Sequence, residues 1–263
     1  DGDGNIAIGY HAMLAANDTN FLDNIAIGNL ALSTAAAVGL TSCIAIGSSA
    51  MATCNNNAPD GTIAIGHSAL AALTSGSDNT AVGFNAGLYI AAGSGNTILG
   101  HSAYSNTTSG SNLTGSSDNT AIGRDALGGD WVDDGSGAES NTAVGSGAMQ
   151  GALDGGNNNV AVGFGALGTL TEGDKNVAIG ASAGDTITVG DQNTIIGEEA
   201  DGVSTASNQI AIGYNTQTNA TYQTIIGSSL GSVGYQAHET VIGTIGVFRF
   251  VSQQYACDIA DGD

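Results

Sequence analysis

Read as a pattern of apolar and polar positions, the chain repeats one short phrase. It is Asn-Ile-Ala-Ile-Gly from Asn5, Asn-Thr-Ala-Val-Gly from Asn79 and Asn-Val-Ala-Ile-Gly from Asn176. A polar residue is followed by a branched, a small and a second branched residue, and then by glycine. Branched and small side chains that alternate over three positions have the period of a β-strand, with the branched pair on one face and the small residue on the other. The expectation is that the branched face, for example Ile6 with Ile8 or Val160 with Val162, points inward. The central Ala then points outward, where a small side chain lets a second surface come close. The closing glycine permits a turn that a side chain would hinder.

Aligned on that glycine, the phrase occurs fourteen times between Gly9 and Gly243, at separations of 14 to 23 residues. A floor with variable excess means a fixed scaffold that carries loops. The third residue after the glycine is Ala in the first eleven copies, from Ala12 to Ala200, and then Thr216, Leu230 and Gly246. The stack therefore changes character near its end. A unit this short cannot be a helix pair, which needs about 30 residues, but it suits one coil of a narrow roll with two short strands and two turns. Coils about 4.8 Å apart would form a rod of roughly 65 Å. The motif Asn gives way to Cys43, Thr62, Gln209, Gln223 and Glu239 in five copies. It is either a polar ladder capping turn backbone or a plain turn former. The fold expected is all-β, a parallel β-roll or β-solenoid of about 14 coils over residues 1–246, with 247–263 as a C-terminal segment or the start of a further domain.

Composition changes this picture in two ways. With 42 Gly, one Pro, 5% aromatic residues and a mean hydropathy of +0.10, the chain is too apolar for a disordered one yet lacks bulky core formers. A thin roll buries little per residue against an ordering cost of about 1 to 2 kcal/mol per residue. Association through the Ala/Gly faces is the simplest compensation, and a threefold arrangement would bury that face on every subunit. The expected interface residues are Ala7, Ala26, Ala45, Ala64, Ala81, Ala121, Ala143, Ala161 and Ala178. The second change comes from charge: 24 acidic residues against Lys175, Arg124 and Arg249 give a net charge of -21. Such a surface repels phosphate backbones and anionic lipids, so neither nucleic acid nor membrane insertion is expected. No apolar run reaches the roughly 18 residues of a membrane span, and the start has neither Met nor a basic region, so a processed product or fragment is expected. Cys43, Cys54 and Cys257 form no disulfide framework; three unpaired thiols are expected, with a Cys43–Cys54 bridge as the alternative.

The motif N-[IVT]-[AI]-[IVL]-G-x-x-A, with linkers such as SNTTSGSNLTGSSDNTAIG, resembles the head repeats of YadA-like trimeric autotransporter adhesins and similar repeats in bacteriophage tail fibre proteins. The resemblance covers about residues 5 to 246. It implies a left-handed parallel β-roll, a homotrimer with three chains side by side, and a role as an extracellular attachment rod. The C-terminal GVFRFVSQQYACDIADGD departs from it, having no heptads and no basic neck. With no membrane anchor and no self-cleaving chaperone domain in this sequence, a virion fibre is favoured over a bacterial adhesin head.

Other chemistry finds little support. No G-x-x-x-x-G-K-[ST] loop is present. His11, His67, His101 and His238 fall in distant copies, and although His67 and His101 share the position after the glycine, they lie two coils apart. No distinct local motifs supply a Ser, His and Asp triad. No cofactor is expected; Asp130, Asp133 and Asp134 are the calcium candidates, although their spacing misses the D-x-[DN]-x-[DN]-G loop. The sequons at Asn17, Asn106, Asn112 and Asn219 matter only in a glycosylating host. The two longest spacings flank Gly123 and place insertions on neighbouring coils, where a solenoid builds recognition surfaces. Tyr104, Asn106 and Asn112 in the first insertion, with Asp130, Trp131, Asp133 and Asp134 in the second, form the expected receptor-binding patch, exposed aromatic rings beside Asp and Asn suiting carbohydrate. The alternative for Trp131 is that it pins its own loop.

The function expected is a non-enzymatic structural and attachment fibre, a phage tail fibre or virion fibre segment located on the virion or at the cell surface. Its partners would be other virion proteins and a host cell-surface glycan or protein receptor. The alternatives are a bacterial trimeric autotransporter adhesin head and a glycan-degrading tailspike.

Overall fold

The structure, a computed structural model, describes residues 3–14, 21–33, 39–54, 59–105, 113–114, 116–129, 137–227, 240–242 and 248–250. The chain is a parallel β-solenoid, with no helix among the described residues. Every motif copy supplies one three-residue strand, from Ile6–Ile8 through Thr120–Ile122 to Thr240–Ile242, and consecutive copies pair in parallel in one sheet. The register is uniform: Ile6 faces Ile25 and Ala7 faces Ala26, just as Thr142 faces Val160 and Ala143 faces Ala161. Equivalent residues therefore stack in columns, whatever length of loop lies between them. Phe248–Phe250 adds to the last motif strand in the antiparallel sense. A second, two-stranded parallel sheet joins Ile90–Ala92 to Leu113–Thr114.

The alternation inferred from the sequence is present, but its sides are reversed. Ala26, Ala45, Ala64, Ala81, Ala121, Ala143, Ala161 and Ala178 are fully buried inside their own chain. The branched residues on either side of them face outward and are half-buried or exposed, Ile8 at 59% and Leu99 at 48%. The alanines therefore cannot touch a neighbouring chain. Only Ala7 is exposed, on the strand at the outer edge of the sheet.

The reason lies in the width of the coil. In the coils from Gly28 to Gly163, that of Gly83 excepted, the fourth residue after the glycine puts a large side chain into the interior, as do Leu32, Met51, Leu70, Leu127, Met149 and Leu167, joined by Leu73, Leu153, Leu170 and Ile187. Once these have filled the cavity, the strand opposite has room for a methyl group and little more, because interiors pack to near-crystalline density. Two departures support the rule. Where the strand carries buried Ile98 or Ile195 instead of Ala, the preceding coil has Gly87 or Gly184 in place of the Leu or Met. A Cβ at Gly87 would lie 2.7 Å from Leu70 Cδ2 and 3.0 Å from Ile98 Cδ1.

The motif Asn turns inward beside the alanine column and forms a buried ladder. From Asn79 through Asn96, Asn119, Asn141, Asn159, Asn176 and Asn193 to Gln209, each side-chain oxygen accepts from the next backbone N–H at 2.9 to 3.0 Å. The amide groups donate to turn carbonyls, as Asn159 does to Gly173 at 2.8 Å and Asn176 to Gly190 at 2.8 Å. Of the two readings of this residue, the capping ladder is the one realised. It is weakest at Cys43, whose thiol lies 3.1 Å from the Pro59 carbonyl, and at Thr62, whose hydroxyl accepts from Asn79 N at 3.4 Å. Cys43 and Cys54 are free and buried, and burial pushes both thiols up to about 12. Cys257 lies outside the described residues.

Candidate functional site

The outward face of the sheet is a surface for which the described residues offer no partner. It runs the length of the rod as two columns of β-branched and aliphatic side chains, Ile25 and Ile27, Ile44 and Ile46, Val160 and Val162 among them. A flat sheet face of this kind is usual for a strand whose other side fills a core, but its outer residues are then normally polar. Here they are Ile, Val, Leu or Thr. The sequence held a signal for this sidedness. Thr takes the first flanking position in seven of the fourteen motifs, while the central residue is always Ala, Ile or Val. A position that accepts a hydroxyl half of the time is the one facing out.

Beside these columns the residue after the glycine is also exposed in many described coils, and several are aromatic: Tyr10, Phe84, Phe164 and Tyr214. His67 and His101 share this column as expected, and Phe84 stands between them. The three rings stack with centroids 5.1 and 5.2 Å apart and interplanar angles of 15° and 14°. With Phe84 between them the two imidazoles cannot chelate one metal ion, and no group of three or more His, Cys, Asp or Glu side chains suited to a metal occurs among the described residues.

The expected receptor patch divides. Tyr104 is not exposed: it is fully buried in the column that elsewhere holds Leu or Met, and its hydroxyl accepts from Asn119 Nδ2 at 3.0 Å. Burial holds its phenol far above the usual range. Counting four residues on from Gly100 would have identified it as a core position. Asn106, Asn112, Asp130, Trp131, Asp133 and Asp134 lie outside the described residues, as does the calcium candidate set.

A second, solvent-exposed ladder runs along one corner. Asn157 Oδ1 accepts from Glu139 N, Asp174 Oδ1 from Asn157 N and Asp191 Oδ1 from Asp174 N, at 2.7 to 2.8 Å. The acidic side chains here cap backbone, and an open recess lies among Asp174, Lys175, Asp191, Gln192, Ser207 and Asn208. Further along, the interior itself becomes polar. Asp201 replaces the Leu or Met of earlier coils, accepting from Gly202 N at 2.8 Å, and desolvation raises its carboxyl above the ordinary range.

No described helix is long and apolar enough to cross a membrane. Compared with family models, curated proteins and solved structures, the chain matches none.

Proposed function

We propose that the chain is a non-enzymatic structural and attachment rod, a virion or cell-surface fibre segment, in which three copies of a left-handed roll pack side by side through their outward Ile, Val and Thr columns. The observation that carries this reading is the outward sheet face itself. Contiguous exposed apolar surface beyond a few hundred Å² marks an interface, and this face extends from Ile6 to Ile226. Parallel rods with matching columns bury it symmetrically, and the resemblance of the repeat to trimeric adhesin and phage fibre heads supplies the number three. A surface charge of -21 keeps such a rod soluble once the apolar face is covered. Recognition of a host glycan or protein is assigned to the insertions within 101–119 and 128–141, to the residues in excess of those, such as Tyr104, Asn119 and Asn141, that build the coil.

Sedimentation equilibrium tests the assembly. The parent protein is expected at three times the chain mass, and the combined change Ile122→Glu, Val144→Glu and Val162→Glu at one chain mass with its β circular dichroism retained. A monomeric parent would overturn the proposal. Shortening both insertions should leave the assembly intact and reduce attachment to host surfaces, while shortening of host polysaccharide chains on incubation would remove the non-enzymatic reading.

A further inference from the structure

The residue after the motif glycine forms a column whose members the backbone holds one coil apart. Asn85 N donates to His67 O at 2.9 Å, Ser102 N to Phe84 O at 2.9 Å and Asp125 N to His101 O at 3.1 Å, which sets His67, Phe84, His101 and Arg124 on consecutive coils. The stacked rings of His67, Phe84 and His101 therefore make a ridge along the rod with a pitch of 5.1 to 5.2 Å, and all three are exposed. The imidazole nitrogens make no hydrogen bond to the described residues. Beside the ridge runs a half-buried polar column of Ser68, Asn85 and Ser102. Three coils beyond His101, Phe164 stands in the ridge column with Ser146 and Ala181 on either side. Its ring is 66% exposed against 48% for Phe84, because no neighbouring ring covers its faces.

Charge narrows the ligand. Although the chain carries 24 acidic residues, neither column holds a carboxylate from Tyr10 to Ser102, and the first one met, Asp125, lies 3.7 Å from Arg124. The ridge offers apolar ring edges, imidazole donors and acceptors, hydroxyls and an amide, a set that complements an uncharged, polyhydroxylated ligand. In an extended β-linked polysaccharide each sugar ring advances by about the length of one coil, so a chain laid along the rod sets one ring on each coil in turn. Stacking fixes the three side chains before the ligand arrives, which lowers the ordering cost of binding. We infer that this column is a binding strip for an uncharged, linear, β-linked polysaccharide running parallel to the rod axis. Sugar hydroxyls meet His67, Asn85 and His101, and a sugar ring further along lies on the open face of Phe164. The strip is built from scaffold positions, not from the inserted residues to which host recognition is assigned.

The test is calorimetric titration of the whole chain with trisaccharides and hexasaccharides of cellulose, chitin and β-mannan. At least one series should bind in the millimolar range or tighter, the hexasaccharide about tenfold more tightly because it reaches from His67 to Phe164. Serine already stands in this column at Ser48 and Ser146, so the fold accepts it there. The combined change His67→Ser and Phe84→Ser should weaken both lengths by about tenfold or more, while Phe164→Ser should bring the hexasaccharide down to the affinity of the trisaccharide. No heat with any of these sugars, or parental affinity in the combined variant, would overturn the inference. Tighter binding of an acidic hyaluronan hexasaccharide would overturn the choice of an uncharged ligand. Loss of the parent's assembly state in the combined variant, read by sedimentation, would overturn the strip in favour of contacts between copies. Shortening the insertions should leave this binding unchanged, which separates its failure from that of the attachment role.

Discussion

Replacing Asn119 by Ala tests the buried ladder at its best-connected rung. The Asn119 side chain accepts from Asn141 N at 2.9 Å and shares its two amide hydrogens among Ala138 O at 2.8 Å, Tyr104 Oη at 3.0 Å and Asn96 Oδ1 at 3.3 Å, with none of its surface exposed. Asn96 Oδ1 keeps its bond from Asn119 N at 3.0 Å. The groups orphaned in the backbone are thus the Asn141 N–H and the Ala138 carbonyl. Each buried polar group left unsatisfied costs about 1 to 3 kcal/mol, so Asn119→Ala should destabilise the fold by about 3 to 5 kcal/mol. Asn119→Gln should recover little of this, since Gln209 in the same column keeps the bond to Asn193 Oδ1 but turns its other groups to Val203 N and Ala206 O of its own coil and does not cap the next one. Urea unfolding at fixed protein concentration measures the total. Hydrogen exchange of the Asn141 amide reports the loss locally, which suits a repeat protein whose coils need not unfold together. A loss below about 1 kcal/mol for Asn119→Ala would refute the idea that the ladder is a major source of stability.

Sidedness gives a paired prediction: Ala121→Leu should cost about 1 to 3 kcal/mol by overpacking, whereas Ile122→Ala should change single-chain stability by less than about 1 kcal/mol and act on assembly instead, thermal melts and sedimentation separating the two. The raised carboxyl of Asp201 means that the folded state resists its ionisation. The stability this group contributes is full below the ordinary carboxylate range and is lost as pH rises through its elevated folded value, so Asp201→Asn should melt higher than the parent at pH 7 to 8 and converge with it near pH 3 to 4. Cys43 and Cys54, with thiols at about 12, should resist a thiol-specific reagent at pH 8 in the native protein and react on unfolding; rapid native labelling of both would contradict their burial.

The amino-acid sequence by itself determined the solenoid. Fourteen phrases with a minimum spacing of 14 residues and a three-residue alternation admit a coil and little else, and the invariant closing glycine marks a column where no side chain fits, as the clash of a Cβ at Gly123 with Gly145 O at 2.5 Å shows. It also identified the shared column of His67 and His101. What it could not determine was which face is inside. Alternation has two faces and is blind to the choice between them; that choice depends on what the opposite wall of the coil contributes, and the wall lies in a different part of the repeat. Leu70, Leu127 and Met149 reach across and fill the interior, so the strand can offer only Ala, and the branched residues are driven out. The same cause moved Tyr104 from an exposed loop into the core and made the motif Asn a ladder, because only the uniform stacking of one coil on the next brings each side-chain amide to the backbone of its successor.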